Sequence, residues 1–337
     1  MCGVPISRAD EYLQRLIAAG HRVSVCEQLE DPAEARKRGA KAVVRRDVTR
    51  LVTAGTITEE ALLEPGRANL LVSLARVRRD ETTWTYGIAA VDISTGQFIL
   101  TEADAAGAQA TLARLDPSEL LLPDSIREDA AAGPLWRDLR CPVAPVAREG
   151  ADAASAGERL QRAFGVATLD AFGAFTRAEL AAAGAILAYV ERTQRSAMPP
   201  LAAPRREAVA ALMQIDAATR ANLELTRTLG GQRAGSLLSV IDRTVTPAGA
   251  RLMAERLAGP LTGLAEIAAR HDAVTAFATD DDARAALREA LRRAPDMPRA
   301  LTRLALDRGG PRDLVALATG IAAAASIAAL LAGDRPA

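Results

Sequence analysis

Lysine is nearly absent from this 337-residue chain: of its 42 basic residues, only Lys37 and Lys41 are lysines. A phosphate-cradling Walker loop needs Gly-Lys followed by Ser or Thr, whereas Lys37 lies between Arg36 and Arg38 and Lys41 between Ala40 and Ala42. The sequence therefore encodes no P-loop NTPase. Aromatic residues make up 3%, and Tyr12 is the only one before Trp84. Base stacking of the single-strand-binder type has little to work with. The three cysteines, Cys2, Cys26 and Cys141, are scattered and odd in number, which fits buried thiols in a reducing, cytoplasmic setting better than a disulfide framework. His21 and His271 are far apart, and no CxxC or HxxxH spacing accompanies them, so no metal site is expected. Neither sign of charge dominates: Lys plus Arg and Asp plus Glu are 42 each, which excludes a wholesale polybasic binder of nucleic acid or membrane. No basic stretch followed by an apolar run opens the chain, so no signal peptide is expected.

One long uncharged run is present. Leu314 to Gly333 has the length a bilayer requires, but much of it is alanine, with Leu314, Leu317, Ile321 and Leu331 at helical spacing on one stripe. With Gly310-Pro311 before it and Arg312-Asp313 opening it, the segment reads as a long soluble helix that seeks a partner rather than a membrane anchor. Hydrophobic residues at 49% and a length of 337 residues are enough for two or three cored domains.

Three regions separate by periodicity. In residues 1–60 a helical stripe (Tyr12, Leu13, Leu16, Ile17) precedes an extended run (Val23, Val25, Glu27), with Gly20 between them. Asp31-Pro32 opens a short charged helix that stops at Gly39, and Val43 to Val52 reads as a strand. Residues 66–150 open with candidate strands at Leu70–Val77, Trp84–Ile93 and Gln97–Thr101, the last two joined by Ser94-Thr95-Gly96 as a hairpin. A helix near 105–115 and a strand at Glu119–Leu122 follow, then a Pro/Gly-punctuated stretch. This predicts a small α/β domain with a mixed sheet. From 157 onward the pattern is helical, with segments around Leu180–Val190, Ala217–Leu229 behind an Asp216 cap, and a Thr246-Pro247 start. Further helices are expected near 263–278, 281–293, 298–306 and 311–333. The expected fold class is α/β followed by all-α.

The densest basic stretch is Arg36, Lys37, Arg38, Lys41, Arg45, Arg46 and Arg50, with Asp47 as its only acid. Such a run could neutralise phosphates. Glu27, Glu30, Asp31 and Glu34 precede it and nearly cancel it, so a solvated face is the competing reading. Asp92 on the second strand invites comparison with two-metal nucleases, which need clustered carboxylates. Asp104, Asp116, Glu119 and Asp124 are read as helix or loop positions with no matching pattern. Asp92 is therefore taken as a strand-end residue bonding its own hairpin. No catalytic residue is assigned.

Longer strings carry more information. Gly3-Val4-Pro5, Tyr12-Leu13 to Ile17, the run from Cys26 to Pro32 (Cys-Glu-Gln-Leu-Glu-Asp-Pro) and the run from Val43 to Thr53 closely resemble bacterial MutS mismatch-repair proteins. Asp92-Ile93-Ser94-Thr95-Gly96 looks like that family's connector hairpin. The run from Asp216 to Leu225, Thr244-Val245-Thr246-Pro247 and Gly310-Pro311-Arg312-Asp313-Leu314 resemble its lever. The resemblance implies the C-terminal part of a mismatch-binding domain (1–60), a ribonuclease-H-like connector domain with a mixed sheet (66–150) and a truncated helical lever domain (157–337).

It implies a role in recognising mismatched double-stranded DNA, with mismatch-repair partners such as MutL, and ATP and Mg as cofactors of the complete family protein but none in this chain. The family's Phe-x-Glu reader, which wedges into the duplex from the minor groove, would precede Gly3. It occurs nowhere here: two positions after Phe98, Phe164, Phe172, Phe175 and Phe277 stand Leu100, Val166, Ala174, Arg177 and Thr279. Ile6-Ser7 stand where the family usually has an aromatic and a histidine, and Ala54 where it usually has proline. The expectation is a fragment with at most weak duplex contact through residues 36–50, the alternative being a protein-interaction scaffold without DNA binding. Oligomeric state is left open.

Overall fold

The structure, a computed structural model, describes residues 3–39, 42–146, 152–195 and 197–333. It starts with a small α/β unit. Helix α1 (Ala9–Ala18) leads into strand β1 (Val23–Gln28), then α2 (Pro32–Lys37) and strand β2 (Arg46–Val52). The two strands pair antiparallel, with a register irregularity beside Val25. Asp31 caps α2 by accepting the Ala33 N–H at 2.7 Å, and Pro32 supplies the preset φ of the first turn. The expected strand from Val43 shortens to begin at Arg46. Among the described residues, Leu13, Val52, Ile57 and Leu63 form this unit's small hydrophobic cluster.

The linker after Leu63 delivers the chain to a six-stranded mixed sheet. Strands β3 (Leu70–Arg78), β4 (Trp84–Asp92) and β5 (Gln97–Ala103) run antiparallel. Helix α3 (Ala105–Leu115) then returns the chain to β6 (Glu119–Pro123), which is parallel to β3. A short helix α4 (Asp124–Arg127) precedes β7 (Val143–Val146), an edge strand hidden in the punctuated stretch. Side chains alternate strictly across the sheet: Leu71, Val91, Phe98 and Leu121 face one core, and Leu70, Val72, Ile88 and Leu120 face the other. Hence the strands read as continuous apolar runs rather than as alternating ones.

The first of those cores is closed by α5 (Ala153–Phe164) and α6 (Arg177–Gln194). This corrects the expected boundary. Helical periodicity from 157 suggested the start of the lever, yet Leu160, Ala182, Ile186, Leu187 and Val190 pack directly on the sheet. The sheet unit therefore runs past 150, up to a two-residue strand β8 (Arg205–Arg206) that pairs with β5. Alanine and Gly184 along α6 allow this close approach. Gly87 of β4 lies so near that an added Cβ would stand 2.0 Å from the Ala178 carbonyl oxygen.

Among the described residues seven further α-helices follow: α7 (Ala217–Asn222), α8 (Leu237–Ile241), α9 (Pro247–Ala258), α10 (Leu264–Thr279), α11 (Asp281–Arg292), α12 (Met297–Ala305) and α13 (Pro311–Ala332). Asp216 and Thr246 cap α7 and α9 as expected. The helix predicted to reach Leu229 stops at Asn222, because Glu224 takes a left-handed φ of 45° and turns the chain. Helix α13 is the one described helix long and apolar enough to cross a membrane. Its seat against the protein is at Gly320, beside Met297, while Leu314, Ile321 and Leu331 of the expected stripe point to solvent.

Candidate nucleic-acid interface and the arginine seam behind it

The basic run occupies α2 and the approach to β2. Arg36, Lys37, Arg38, Arg45 and Arg46 are exposed, Arg50 is half-buried, and Lys41 lies outside the described residues. The structure does not leave these cations equivalent. Arg38 pairs with Glu30, whose carboxylate also accepts the Arg45 N–H, so one acid pins both ends of the loop. Arg50 is paired with Glu59, and burial together with the nearby Arg308 pushes its guanidinium down to about 10. Arg36, Lys37, Arg45 and Arg46 form no ion pair among the described residues. The basic run thus divides into two structural cations and four that remain available for phosphate. Arg36 and Lys37 also sit in the last turn of α2, where cations complement the helix dipole.

Behind this surface the small unit is fastened to the rest of the protein by buried polar contacts. Glu119, the expected start of a strand but given no part in any carboxylate cluster, is the first residue of β6 and is 2% exposed. Its carboxylate accepts the Thr53 hydroxyl, the Gly55 N–H at 2.9 Å and the Tyr189 hydroxyl at 2.7 Å. Burial, reinforced by that carboxylate, raises the Tyr189 phenol above the usual tyrosine range. Three elements distant in sequence meet here: the segment after β2, the sheet and α6. Arg195, just past α6, donates to the Val48 carbonyl at 3.1 Å.

A second fastening involves the helical region. Arg299 of α12 is 4% exposed and reaches into the sheet unit. It donates to the Glu64 carbonyl at 3.1 Å, the Arg67 carbonyl at 2.8 Å and the Ser94 hydroxyl at 3.2 Å. Ser94 in turn donates through both its N–H (2.9 Å) and its hydroxyl (2.6 Å) to Asp92, whose other oxygen accepts the Asn69 N–H at 3.0 Å. Asp92 therefore bonds its own hairpin, as expected, and its oxygens are occupied by protein donors. Gly96 completes the hairpin with φ of 80°, and its carbonyl accepts the Ala202 N–H. Burial lowers the Arg299 guanidinium, and the neighbouring Arg251 adds to the effect.

Three more arginines line the same seam. Arg251 of α9 forks onto Asp296 at 2.7 and 3.0 Å and donates to the Pro65 carbonyl at 2.8 Å. Arg303 pairs with Asp313 and approaches Glu60 at 3.4 Å, and Arg308 donates to the Thr58 hydroxyl at 2.9 Å. Sequence reasoning missed all four, because isolated arginines in amphipathic helices or in the turns after them look like solvated positions. The only local signal was an arginine on the apolar side of a short helix: Arg299 lies beside Ala300 and two residues after Met297. The planar five-donor guanidinium explains the residue choice, since one such group can satisfy several backbone carbonyls that a point-charge ammonium cannot.

Three models of successive domains of one family match this chain: MutS domain I over residues 1–61, MutS domain II over 69–202 and MutS domain III over 218–337. The chain belongs to the MutS family. The MutS domain II match ends at 202, in keeping with the packing of α5 and α6 on the sheet. The chain is 53% identical to the DNA mismatch repair protein MutS of Azorhizobium caulinodans over its whole 337 residues, which are 36% of that protein. It is 54% identical to the MutS of Rhizobium meliloti over 333 residues, again 36% of the relative. The MutS of Rhodopseudomonas palustris is 55% identical over 331 residues. The chain thus spans a little over a third of the length of these MutS proteins.

Proposed function

We propose that this chain serves mismatch repair as the part of a MutS protein that contacts duplex DNA weakly and passes the strain of that contact into the helical region. One observation carries the reading: the unit that presents Arg36, Lys37, Arg45 and Arg46 is itself bolted to the sheet through Glu119, to α12 through Arg303 and to the turn after α12 through Arg308. A load on the basic surface has a buried polar route to the helices. The chain offers no base reader, so the contact is with the phosphate backbone and is independent of sequence.

ATP and Mg belong, on this reading, to other parts of a complete MutS protein. The residues of this chain do not fit a nucleotide phosphate loop, since neither lysine stands in a Gly-Lys-Ser/Thr setting. Mismatched duplex DNA and a MutL-type protein are the proposed partners, the setting is cytoplasmic, and α13 awaits a protein surface rather than a membrane.

The test is a fluorescence-anisotropy titration of the chain against a G·T heteroduplex and its matched homoduplex at about 50 and about 200 mM salt. Equal binding to both, weakening with salt, is the expected result. Each of Arg36→Ala, Lys37→Ala and Arg46→Ala lowers the slope of log K against log salt by about 0.9 if its cation displaces one counterion. Arg38→Ala leaves the slope unchanged, because Glu30 already neutralises it. No binding at either salt supports the interaction scaffold instead, and a preference for the mismatch refutes the assignment of backbone contact alone.

A further inference from the structure

Between the sheet unit and the helical region lies a cavity of about 560 Å³, within the range of small-molecule sites. Its floor is apolar: Leu70, Ile99 and Leu115 come from the sheet side, Leu238 and Ala258 from the helical side. Its polar wall is unusual. Arg67 and Arg227 both turn onto one oxygen of Asp116, each at 3.1 Å, and the three side chains remain between 36% and 47% exposed. Two guanidinium groups on one carboxylate leave one positive charge in excess at this corner of the cavity, while the exposed Glu64 and Glu255 lie elsewhere on its lining. Arg67 spends a single nitrogen on that bond and Arg227 gives its third only to the Gly231 carbonyl at 3.3 Å, so donors remain for a ligand. The side-chain amides of Gln97 and Gln232, also on the wall, have no hydrogen-bond partner among the described residues.

We propose that this cavity binds a small amphipathic organic anion, with its charged head between Arg67 and Arg227 and a flat apolar body against Ile99, Leu115 and Leu238. The complementarity is specific: an inorganic anion would leave the apolar floor empty, and a neutral apolar molecule would leave the surplus charge at that corner unanswered. Because the two arginines come from opposite sides of the seam, the bound molecule bridges the sheet unit and the helical region and stabilises their docked arrangement. The site is separate from the basic run and stands whether or not the chain binds DNA.

The probe is 8-anilinonaphthalene-1-sulfonate, which joins one anionic group to planar apolar rings, compared with its uncharged parent N-phenyl-1-naphthylamine. Both are titrated into methyl-labelled chain and followed by the methyl resonances of Ile99, Leu115 and Leu238, with Leu314 and Leu331 of the exposed α13 as controls. The expected result is saturable shifts at the three cavity methyls, at least tenfold weaker for the uncharged parent. Arg227→Gln weakens the sulfonate at least tenfold. Asp116→Asn, which frees both guanidinium groups, tightens it several-fold and guards against reading a folding defect as lost affinity. Shifts confined to α13, equal affinity for the two probes, or weakening by Asp116→Asn would each overturn the proposal.

Discussion

Replacing Arg299 with methionine keeps most of the buried stem of the side chain and removes its guanidinium. Three acceptors lose their donor: two backbone carbonyls, at 2.8 and 3.1 Å, and the Ser94 hydroxyl at 3.2 Å. A hydrogen bond from a charged donor contributes about 1.5–3 kcal/mol, and a buried acceptor left without a partner costs about 1–3 kcal/mol. Two of the three bonds are long, so the lower end of that range applies to them. The arginine's own desolvation, evident in its lowered pKa, is recovered on removal and offsets part of the loss. The balance is a weakening of about 3 kcal/mol in the attachment of α12 to the sheet unit, on the order of a hundredfold in the docking equilibrium.

The loss is local, because both cores of the sheet unit exclude Arg299. Native-state hydrogen exchange therefore reads it: the opening free energy of α12 falls by that amount in Arg299→Met while the amides of β3 and β4 keep their protection. Arg299→Lys restores the charge but places one nitrogen where three were used, and recovers less than half of the difference. A change in α12 below about 1 kcal/mol, or a lysine variant indistinguishable from the parent, would refute the argument that the fork of donors holds the seam.

Three other substitutions test the packing and the electrostatics. Gly87→Ala drives a Cβ into the backbone carbonyl of Ala178 at 2.0 Å, so α6 must lift from the sheet; thermal or denaturant unfolding is expected to show a loss of about 3 kcal/mol or more. Gly320→Ala on α13 meets only the flexible end of Met297, and is expected to change stability by about 1 kcal/mol or less, helped by helix propensity. Asp313 accepts from Arg303 and from the Gly310 N–H at 2.9 Å, and the Arg303 bond holds its carboxyl below the usual carboxylate range. Its folded pKa lies below the unfolded value of about 3.9. Its stabilisation is therefore complete above that value and is lost as pH falls through the folded pKa. Asp313→Asn is expected to cost about 1 kcal/mol at pH 7, and urea titrations of the two proteins should converge at acid pH.

Much of this architecture was legible in the chain itself, since it rests on local physics. Asp31, Asp216 and Thr246 announce helix starts because a short side-chain oxygen reaches an amide two or three residues ahead. Trp84 to Ile93, Ser94-Thr95-Gly96 and Gln97 to Thr101 announce a hairpin because strand and turn chemistry are set within a few residues. The family strings added the domain order.

Periodicity could not say which surface a helix covers. Leu160 and the alanines of α6 have a helical pattern whether they meet a sheet or another helix, and only packing assigned them to the sheet. The same limit hid Glu119, whose burial depends on Thr53, Gly55 and Tyr189 arriving from remote segments. It hid as well the division of the basic run into paired and free cations, and the four arginines of the seam. Charge is written in the sequence, but its solvation is set by neighbours that only the tertiary structure brings together.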